Sequence, residues 1–286
     1  VAKEVQKFSS ELISDTAASI CVMDIYNGDI VTMVSSPNYD PNAFVHGIEK
    51  SYWKELIEID FKPLNNKAIS GLYPPGSTIK TIVALSALEN DVWNPKKYLS
   101  CTGVTELYDE KFHCWKKKGH GSVNMRTAIQ RSCDVYFYEV ARLLGVDRLS
   151  ETAKKFGLGK KVLDQYFDNE KKGLFPDTKW KKNNLGKGWV LGETLITGIG
   201  QGYTQTTPLQ LCMMTAQIAN GGYAIKPKII VDSNPISYED AKQSMESQLL
   251  FNSESKLLGD KKLFIDKKNI KIIQEAMFSS TNERFG

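Results

Sequence analysis

The stretch from Tyr73 to Lys80, Tyr-Pro-Pro-Gly-Ser-Thr-Ile-Lys, constrains the fold of this chain more than any other. Its two prolines fix φ and its glycine permits a sharp bend, so the chain can turn abruptly into the apolar run at residues 78–90. We predict a helix over that run. Residues three apart share a helix face, and Lys80 can therefore reach the Ser77 hydroxyl.

The same geometry favours a nucleophile at Ser77. Backbone N–H groups and the positive end of the helix dipole stabilise an alkoxide there and disfavour a second positive charge on Lys80. A serine beside a neutral amine meets the requirement for nucleophilic catalysis. The local pattern also permits a simpler interpretation, in which Ser77 only caps a buried helix.

The Ser-x-x-Lys pattern occurs at two further places, which serve as internal controls. Ser51 and Lys54 lie in a mixed-charge stretch, whereas Ser253 and Lys256 lie in a polar tract with no apolar helix behind them. Neither pair follows a Pro-Pro-Gly turn. We therefore interpret both matches as accidental.

The composition argues against nucleic acid and membrane-spanning roles for these residues. Charged residues make up 24% of the chain and the net charge is +4, so there is no strong basic field. No apolar run approaches the ~18 residues that span a bilayer. Val1 opens no signal-peptide pattern, and since the chain begins without methionine, we expect a soluble portion of a longer protein.

Three of the five cysteines lie near a histidine in the sequence. The candidate metal ligands are Cys101, Cys114, His120 and Cys133. Thiolate and imidazole are the usual ligands of a closed, structural zinc site. A Cys101–Cys114 disulfide is the alternative in an oxidising compartment, and His113 could replace His120. The other two cysteines, Cys21 and Cys212, have apolar sequence neighbours and are assigned to the core.

Hydrophobic periodicity predicts a mixture of helices and strands. Residues 1–14 predict an amphipathic helix that packs on the following sheet through Val1, Val5, Phe8 and Leu12. Two β-rich runs joined by Asn27-Gly28 predict an antiparallel hairpin with a two-residue turn, within a central sheet. The remaining predictions are strands at 19–26 and 29–34, loops at 36–72 and 160–190, and helices at 146–156, 209–219 and 266–278, the last with Asp266 as N-cap. Residues 127–145 are predicted to be mostly helical with a polar interruption at 132–134, and residues 223–231 to be strand-like, interrupted by Pro227.

Two other stretches carry weak signals when each is taken alone. Ser132-Cys-Asp134 can be an N-cap pair for a helix that begins at Val135. The glycine-rich passage 194–207 precedes Pro208, which suits a first helical turn. This passage lacks the strand and the Gly-Lys-Ser/Thr context of a phosphate loop.

Together with the Ser77 turn, these stretches carry a family resemblance. In order along the chain, the Tyr73–Lys80 stretch, Ser132-Cys-Asp134 and Gly198-Ile-Gly-Gln-Gly-Tyr203 resemble the transpeptidase domain of class B penicillin-binding proteins. The likeness is strongest to the elongation-specific branch, penicillin-binding protein 2, and runs over residues 1–286. It implies an α+β, serine β-lactamase-like fold, with a central antiparallel sheet flanked by helices and an all-helical lobe that carries both serine motifs.

The resemblance implies a role for each motif residue. Ser77 would attack the penultimate D-alanine carbonyl of a peptidoglycan stem peptide, and Lys80 would take its proton. Ser132 would relay a proton, and Asp134 would position Lys80 and the substrate amide. An amine from a neighbouring stem would then capture the acyl-enzyme, and β-lactams would acylate Ser77 as substrate mimics.

This chain departs from the family pattern in two ways. Asp134 stands where the wider superfamily usually has asparagine, although aspartate also occurs in the elongation-specific branch. No Lys-Ser-Gly or Lys-Thr-Gly occurs in the chain, so we expect it to end before the strand that carries that third motif. The substrate-carboxylate site and half of the oxyanion hole would lie on that strand.

The resemblance extends to the metal site, the compartment and the partners. It makes Zn²⁺ the expected ion at the three cysteines and His120, next to the active site, and implies no organic cofactor. It also implies an N-terminal inner-membrane anchor and a pedestal region outside this chain, with a periplasmic catalytic domain. The implied protein partners are a glycosyltransferase and scaffold proteins of the rod complex.

Two other functions are alternatives to the predicted transpeptidase activity. A serine β-lactamase would need a base that activates the deacylating water, and no Glu-x-x-x-Asn-like element follows the second motif. A β-lactam-sensing or scaffold domain would acylate without turnover, and the lack of a third motif in this chain keeps that alternative open.

Overall fold

Helices dominate residues 1–230, 262–263 and 266–284, the parts of the chain that this computed structural model describes. Three two-stranded antiparallel sheets occur in those ranges, pairing β1 with β2, β3 with β6 and β4 with β5. In chain order the elements are α1 (Lys3–Leu12), β1 (Ala18–Met23), β2 (Ile30–Ser36), a 3₁₀ helix (Pro41–Phe44), α2 (Lys50–Glu58), a second 3₁₀ helix (Gly76–Ile79), α3 (Lys80–Glu89), β3 (Leu99–Cys101), β4 (Val104–Leu107), β5 (Glu110–His113), β6 (Gly121–Val123), α4 (Met125–Gln130), α5 (Asp134–Leu144), α6 (Val146–Lys155), α7 (Thr178–Leu185), α8 (Leu191–Thr197), α9 (Pro208–Ala219) and α10 (Lys267–Asn282). The predicted α+β class is confirmed.

The predicted hairpin forms, but its turn is longer than two residues. The N–H of Asp24 donates to the Asp29 carbonyl at 2.9 Å, and Asp24 Oδ1 accepts the N–H of Asn27 at 3.2 Å. Gly28 adopts a φ of 80°. Because Asp24 caps the turn from within, β1 and β2 stop pairing before Asn27-Gly28.

Helix α1 packs on the hairpin as predicted, but through a different face. Val5, Phe8 and Leu12 are 40%, 65% and 66% exposed. Gln6 instead faces β2, where its amide oxygen accepts the Met33 N–H and its amide nitrogen donates to the Met33 carbonyl, both at 2.9 Å. Strand β2 leaves backbone groups unpaired on this side, and satisfying them outweighs burial of the apolar stripe.

Helix α3 is the centre of the helical lobe. Helices α5, α6 and α10 pack against α3, with α4 between α5 and α10 and with α8 on α5. The contacts bury side chains on nearly every face of α3, and its interior is apolar except for Ser86, which is hydrogen-bonded to Thr152 at 2.8 Å. Fully buried residues of this core include Ile82, Val83, Leu85, Phe137, Leu149 and Ile273. This core fixes the helix that follows Ser77.

Most predicted helices are confirmed, with shifted ends. The helix predicted at 78–90 begins as the Gly76–Ile79 3₁₀ turn before α3. Helix α9 begins at Pro208 after the N-cap Thr207, whose hydroxyl accepts the Gln210 N–H at 3.2 Å. Asp266 caps α10 as expected for that helix. The mostly helical stretch predicted at 127–145 is confirmed together with its polar interruption, since α4 ends at Gln130 and α5 begins at Asp134.

Two stretches predicted as loops contain helices. The segment 36–72 includes α2, and the segment 160–190 includes α7. Asp177 begins α7 by accepting the Trp180 N–H at 2.7 Å, and Gly186 ends it in the left-handed conformation. The polar, lysine-rich sequence of α7 hides its period, whereas the cap residues at both ends mark it.

The strand-like segment predicted at 223–231, with its interruption at Pro227, forms only isolated bridges up to residue 230, where this described range ends. Lys228 forms one parallel bridge with Asp29, and Tyr223 forms one antiparallel bridge with Lys262. Pro227 has no N–H to donate, which prevents a continuous ladder. Within the described residues, no helix is long and apolar enough to cross a bilayer.

Candidate active site

The turn that carries Ser77 is held by a distant part of the chain. Tyr73 exchanges main-chain hydrogen bonds of 3.0 and 2.9 Å with Thr206, and the Gly76 N–H donates to the Gly200 carbonyl at 2.9 Å. Ser77 then lies exposed in the short 3₁₀ helix. The glycine-rich passage therefore braces the turn.

This close contact requires glycine at position 200. Gly200 has a φ of +71°, and a Cβ there would lie 2.2 Å from the Gly76 carbonyl oxygen. A side chain would be strained by the backbone conformation and would also collide with the turn. The glycine-rich passage, which lacks the context of a phosphate loop, thus allows the close backbone contact between Gly200 and Gly76.

Lys80 lies beneath Ser77 and is 2% exposed. Its Nζ is 3.1 Å from Ser77 Oγ and 3.0 Å from Ser132 Oγ. It also lies 2.9 Å from the Ser132 carbonyl oxygen and 2.6 Å from Asp134 Oδ1. The amine can donate to the carboxylate and the carbonyl, and whenever it is deprotonated it offers a lone pair to a hydroxyl proton.

Ser132 brings the second motif onto the first. Its Oγ donates a hydrogen bond of 2.8 Å to Ser77 Oγ. Ser132 has a φ of 52°, a left-handed conformation that costs a residue other than glycine about 1–2 kcal/mol. The conformation directs the hydroxyl toward Ser77 and the carbonyl toward Lys80 in the same residue.

Asp134 uses both carboxylate oxygens to order the site. Oδ1 accepts from Lys80 Nζ, and Oδ2 accepts the main-chain N–H of Trp115 at 2.8 Å. Asp134 is the first residue of α5, where a carboxylate is favoured by the helix dipole. The N-cap is Cys133, without a side-chain cap bond, so Asp134 is not part of an N-cap pair.

The capping interpretation of Ser77 also fails. Pro75 and Ile79 occupy the N-cap positions of the 3₁₀ helix and of α3, while Ser77 Oγ bonds to Lys80 and Ser132. The local pattern alone left this choice open. The long-range contact with Ser132 decides it.

The Ser51 match is accidental, as predicted. Ser51 Oγ donates to Glu49 Oε1 at 2.6 Å on exposed helix α2. Lys54 pairs with Glu58 at 3.8 Å instead of with the serine. The other match, Ser253 with Lys256, lies outside the described residues.

The structure brings together the four predicted metal ligands. The ligand atoms of Cys101, Cys114, His120 and Cys133 all lie within 4.8 Å of one another, and all four residues are buried. His113 is exposed on β5 and takes no part. All five cysteines fall in the described ranges and all are free thiols, so the Cys101–Cys114 disulfide does not form. Cys21 and Cys212 are half-buried beside the hairpin core.

Two thiols of the cluster differ in acidity. A hydrogen bond from Cys133 lowers the pKa of Cys114 to about 4, although burial opposes the shift. The same bond raises the pKa of Cys133, and burial adds to that rise. The hydrogen bond between the two sulfurs therefore lowers the pKa of Cys114 and raises the pKa of Cys133.

Two separations within the cluster suit a tetrahedral ion. His120 Nδ1 lies 3.7 Å from Cys101 Sγ and 3.5 Å from Cys114 Sγ. Ordinary zinc bond lengths at tetrahedral angles place nitrogen and sulfur about 3.6 Å apart. Nδ1 is the ring atom that faces the thiols, whereas Nε2 is buried with no hydrogen-bond partner in the described part of the molecule.

Comparison with known families identifies the fold. Residues 18–286 match the family described as the penicillin binding protein transpeptidase domain. The chain belongs to this family. As a penicillin-binding protein transpeptidase domain, it carries Ser77 and its three neighbours on the helical lobe, as the sequence resemblance implied.

Relatives support the same assignment. The peptidoglycan D,D-transpeptidase MrdA of Acinetobacter baumannii is 36% identical over 251 residues, which are 87% of this chain and 37% of that protein. The crystal structure of Pseudomonas aeruginosa PBP2 in complex with WCK 5153 matches at 35% identity and a TM-score of 0.84, over 98% of this chain and 61% of that one. A complex between PBP2 and MreC from Helicobacter pylori matches at 33% identity and a TM-score of 0.85, over 99% of this chain and 49% of that one. The chain spans little more than a third of the curated relative.

Sequence reasoning missed two contributors to the site. The sequence predicts neither the contact of Gly200 with the Ser77 turn nor a role for Trp115. Gly200 accepts through its main-chain carbonyl, whereas Trp115 donates both its main-chain N–H and its indole Nε1–H. Neither contact is encoded in a local sequence pattern. The glycine spacing and the position of Trp115 beside Cys114 were the available clues.

Proposed function

We propose that this chain is the acylating part of a peptidoglycan D,D-transpeptidase of cell elongation, with Ser77 as nucleophile. The observation that carries the proposal is the convergence of Lys80 Nζ and Ser132 Oγ on Ser77 Oγ, at 3.1 and 2.8 Å. These groups come from segments 52 or more residues apart. Accidental convergence of a buried lysine and a second serine on an exposed serine is improbable.

In the acylation step, Ser77 Oγ attacks the penultimate D-alanine carbonyl carbon of a stem peptide. Lys80 Nζ accepts the hydroxyl proton while Asp134 and the Ser132 carbonyl hold the amine in place. The Ser77 N–H contributes to stabilising the oxyanion. The peptide C–N bond then breaks, and the proton passes through Ser132 Oγ to the nitrogen of the departing D-alanine.

The second step reverses these roles. An amine from a neighbouring stem attacks the acyl carbon, the ester bond between that carbon and Ser77 Oγ breaks, and the amine proton passes through Ser132 and Lys80 to Ser77 Oγ. The new amide is the cross-link. A β-lactam enters the same first step, but its leaving group stays tethered and the adduct persists on Ser77.

The proposed metal is a structural Zn²⁺ bound by Cys101, Cys114, His120 and Cys133. Bound zinc would supply a covalent-like tie between four chain segments and no step of the reaction. The proposal is supported by the burial of all four side chains and by the distances of 3.7 and 3.5 Å from His120 Nδ1 to the sulfurs of Cys101 and Cys114. Cys133 lies between Ser132 and Asp134, so the site would anchor the second motif to the segment from Leu99 to Gly121.

We further propose that residues 1–286 are one transpeptidase domain of a longer protein. The strand with the third motif, a membrane anchor and a pedestal would lie outside this chain, with the catalytic domain in the periplasm. Rod-complex glycosyltransferase and scaffold proteins are the proposed partners, supported by the MreC complex of the Helicobacter pylori relative. No organic cofactor and no nucleic acid enter this account.

The lifetime of the penicillin adduct on the full-length protein distinguishes the competing functions. A fluorescent penicillin should leave a long-lived adduct, and stem peptides with a D-Ala-D-Ala end should yield cross-linked dimers. Rapid hydrolysis of the penicillin would instead indicate a β-lactamase. A stable adduct with no dimers would indicate a sensor or scaffold domain.

A further inference from the structure

Trp115 donates hydrogen bonds to both polar residues of the second motif, Ser132-Cys-Asp134. Its main-chain N–H donates to Asp134 Oδ2 at 2.8 Å. Its indole Nε1–H is shared between the carbonyls of Arg131 and Ser132, at 3.1 and 3.0 Å. The residue itself is 64% exposed, so burial does not explain its position.

The bond to Asp134 sets the direction of a carboxylate. Because the Trp115 N–H holds Oδ2, rotation of the carboxylate is restricted and Oδ1 stays directed at Lys80 Nζ, 2.6 Å away. A carboxylate with one oxygen free could turn from the amine toward water. The Trp115 main-chain N–H therefore orients the Asp134 carboxylate, and the carboxylate in turn orients Lys80.

The indole bond acts on a strained residue. Ser132 keeps its left-handed φ of 52° only while its surroundings offset the cost. Its carbonyl accepts from Lys80 Nζ at 2.9 Å and from the indole at 3.0 Å. Both bonds depend on the carbonyl direction that this backbone conformation gives, and the Ser132 hydroxyl reaches Ser77 in the same conformation.

Trp115 is also fixed from the side of the cysteine cluster. It follows Cys114 directly in the chain, and its ring contacts the His120 ring edge-on at a centroid separation of 5.4 Å. The ring is thus held by the cluster while its N–H groups face the second motif. A long, exposed side chain gains a defined orientation in this way.

We infer that Trp115 is a positioning residue for acylation, which transmits the rigidity of the cysteine–histidine cluster to Lys80 and Ser132. The inference rests on the proposed function. Trp115 acts through Asp134 and the Ser132 carbonyl. Its loss should therefore alter the rate of acylation of Ser77 more than the affinity of the non-covalent complex that forms before acylation.

The test compares Trp115→Phe with the parent in full-length protein, using a chromogenic β-lactam. Phenylalanine keeps a ring and the main-chain N–H but removes the indole donor. The acylation rate constant should fall about tenfold, the effect of losing about one hydrogen bond. The dissociation constant before acylation should change less than about twofold, and Tm and metal content should stay at the parent values.

Two substitutions of the indole isolate the donor from the ring. 3-Benzothienylalanine at position 115 keeps the shape without the N–H and should match Trp115→Phe, while 5-fluorotryptophan keeps the N–H and should restore the parent rate. Trp53→Phe, an exposed tryptophan on α2, is the matched control and should change nothing.

Parent-like acylation by Trp115→Phe would overturn the inference and leave the proposed function intact. A loss confined to the affinity would also overturn it, since Trp115 would then be a ligand contact. If the parent formed no adduct on Ser77, the proposed function itself would fail, and the inference with it.

Discussion

Lys80 Nζ lies 2.6 Å from Asp134 Oδ1, and the two side chains are 2% and 11% exposed. An ion pair this deeply buried is destabilised sharply when one partner is removed, because the other charge is left without compensation. The contact joins the first and second motifs and ties catalytic geometry to folding stability.

Asp134→Ala should therefore lower the free energy of unfolding by about 3 kcal/mol and the acylation rate by at least about a hundredfold. Asp134→Asn should lose less, because its amide oxygen still accepts from Lys80. Its amide nitrogen then faces the Trp115 N–H, a donor against a donor, so the stability and the acylation rate of Asp134→Asn should stay below those of the parent. Urea unfolding and β-lactam acylation measure both effects.

Glu58→Ala is the control for this pair, since Glu58 meets Lys54 on an exposed helix at 3.8 Å. It should cost less than about 0.5 kcal/mol. Equal losses for Asp134→Ala and Glu58→Ala would show that burial does not set the strength of the Lys80 contact.

Gly200→Ala should disrupt the Ser77 turn. The new Cβ would lie 2.2 Å from the Gly76 carbonyl oxygen at a φ of +71°, so the passage must move. Gly186→Ala has a similar φ of +66° with open space around it, and should cost only about 1 kcal/mol from backbone strain. Thermal unfolding and acylation rates should both rank Gly200→Ala as the more damaging change, and acylation by Gly186→Ala should match the parent.

Removal of one ligand should empty the proposed metal site. Cys101→Ser should bind less than about a tenth of the parent zinc and unfold more easily, because metal binding contributes directly to folding. Cys21→Ser, on the β1 hairpin outside the cluster, should keep the parent zinc content. Elemental analysis of protein purified without added metal measures this, and a parent free of zinc would contradict the assignment.

The Lys181–Glu193 pair should make stability depend on pH. Burial raises the pKa of Glu193, but hydrogen bonds from Lys181 Nζ, at 2.5 and 2.7 Å, and from the Val190 N–H outweigh it, so the pKa is lowered. The pair's contribution is complete above the unfolded pKa of about 4.3 and is lost as the pH falls through the lower folded pKa.

The matched variant for this dependence is Glu193→Gln. Between about pH 6 and pH 3, the parent should lose about 1 kcal/mol more stability than Glu193→Gln, which lacks the titrating group. Denaturant unfolding across that range gives the difference. Parallel curves for the two proteins would refute the assigned role of Glu193.

Local sequence patterns predict one part of the site and not the other. Ser77 and Lys80 were predictable because their relation is local, three residues along one helix. The contact of Lys80 with Ser132 and Asp134 crosses 52 and 54 residues, and no local pattern encodes it. There the family resemblance supplied the pairing, and the geometry confirmed that the groups meet.

Two differences from the predicted fold have a common physical cause. Periodicity predicts an apolar contact face for helix α1, yet Gln6 contacts the strand, because unpaired backbone groups of β2 need partners. The two-residue turn at Asn27-Gly28 gave way to a longer one for a similar reason, since Asp24 satisfies N–H groups in the loop. Both outcomes depend on hydrogen bonds that hydrophobic periodicity does not record.

The central claim, that Ser77 is the acylated residue, is tested most directly by peptide mass spectrometry of full-length protein after incubation with benzylpenicillin. We predict a single adduct on the tryptic peptide 68–80, lost in Ser77→Ala and kept in Ser51→Ala, which removes the exposed Ser-x-x-Lys match on α2. An adduct on the Ser51 peptide, or undiminished labelling of Ser77→Ala, would contradict the account.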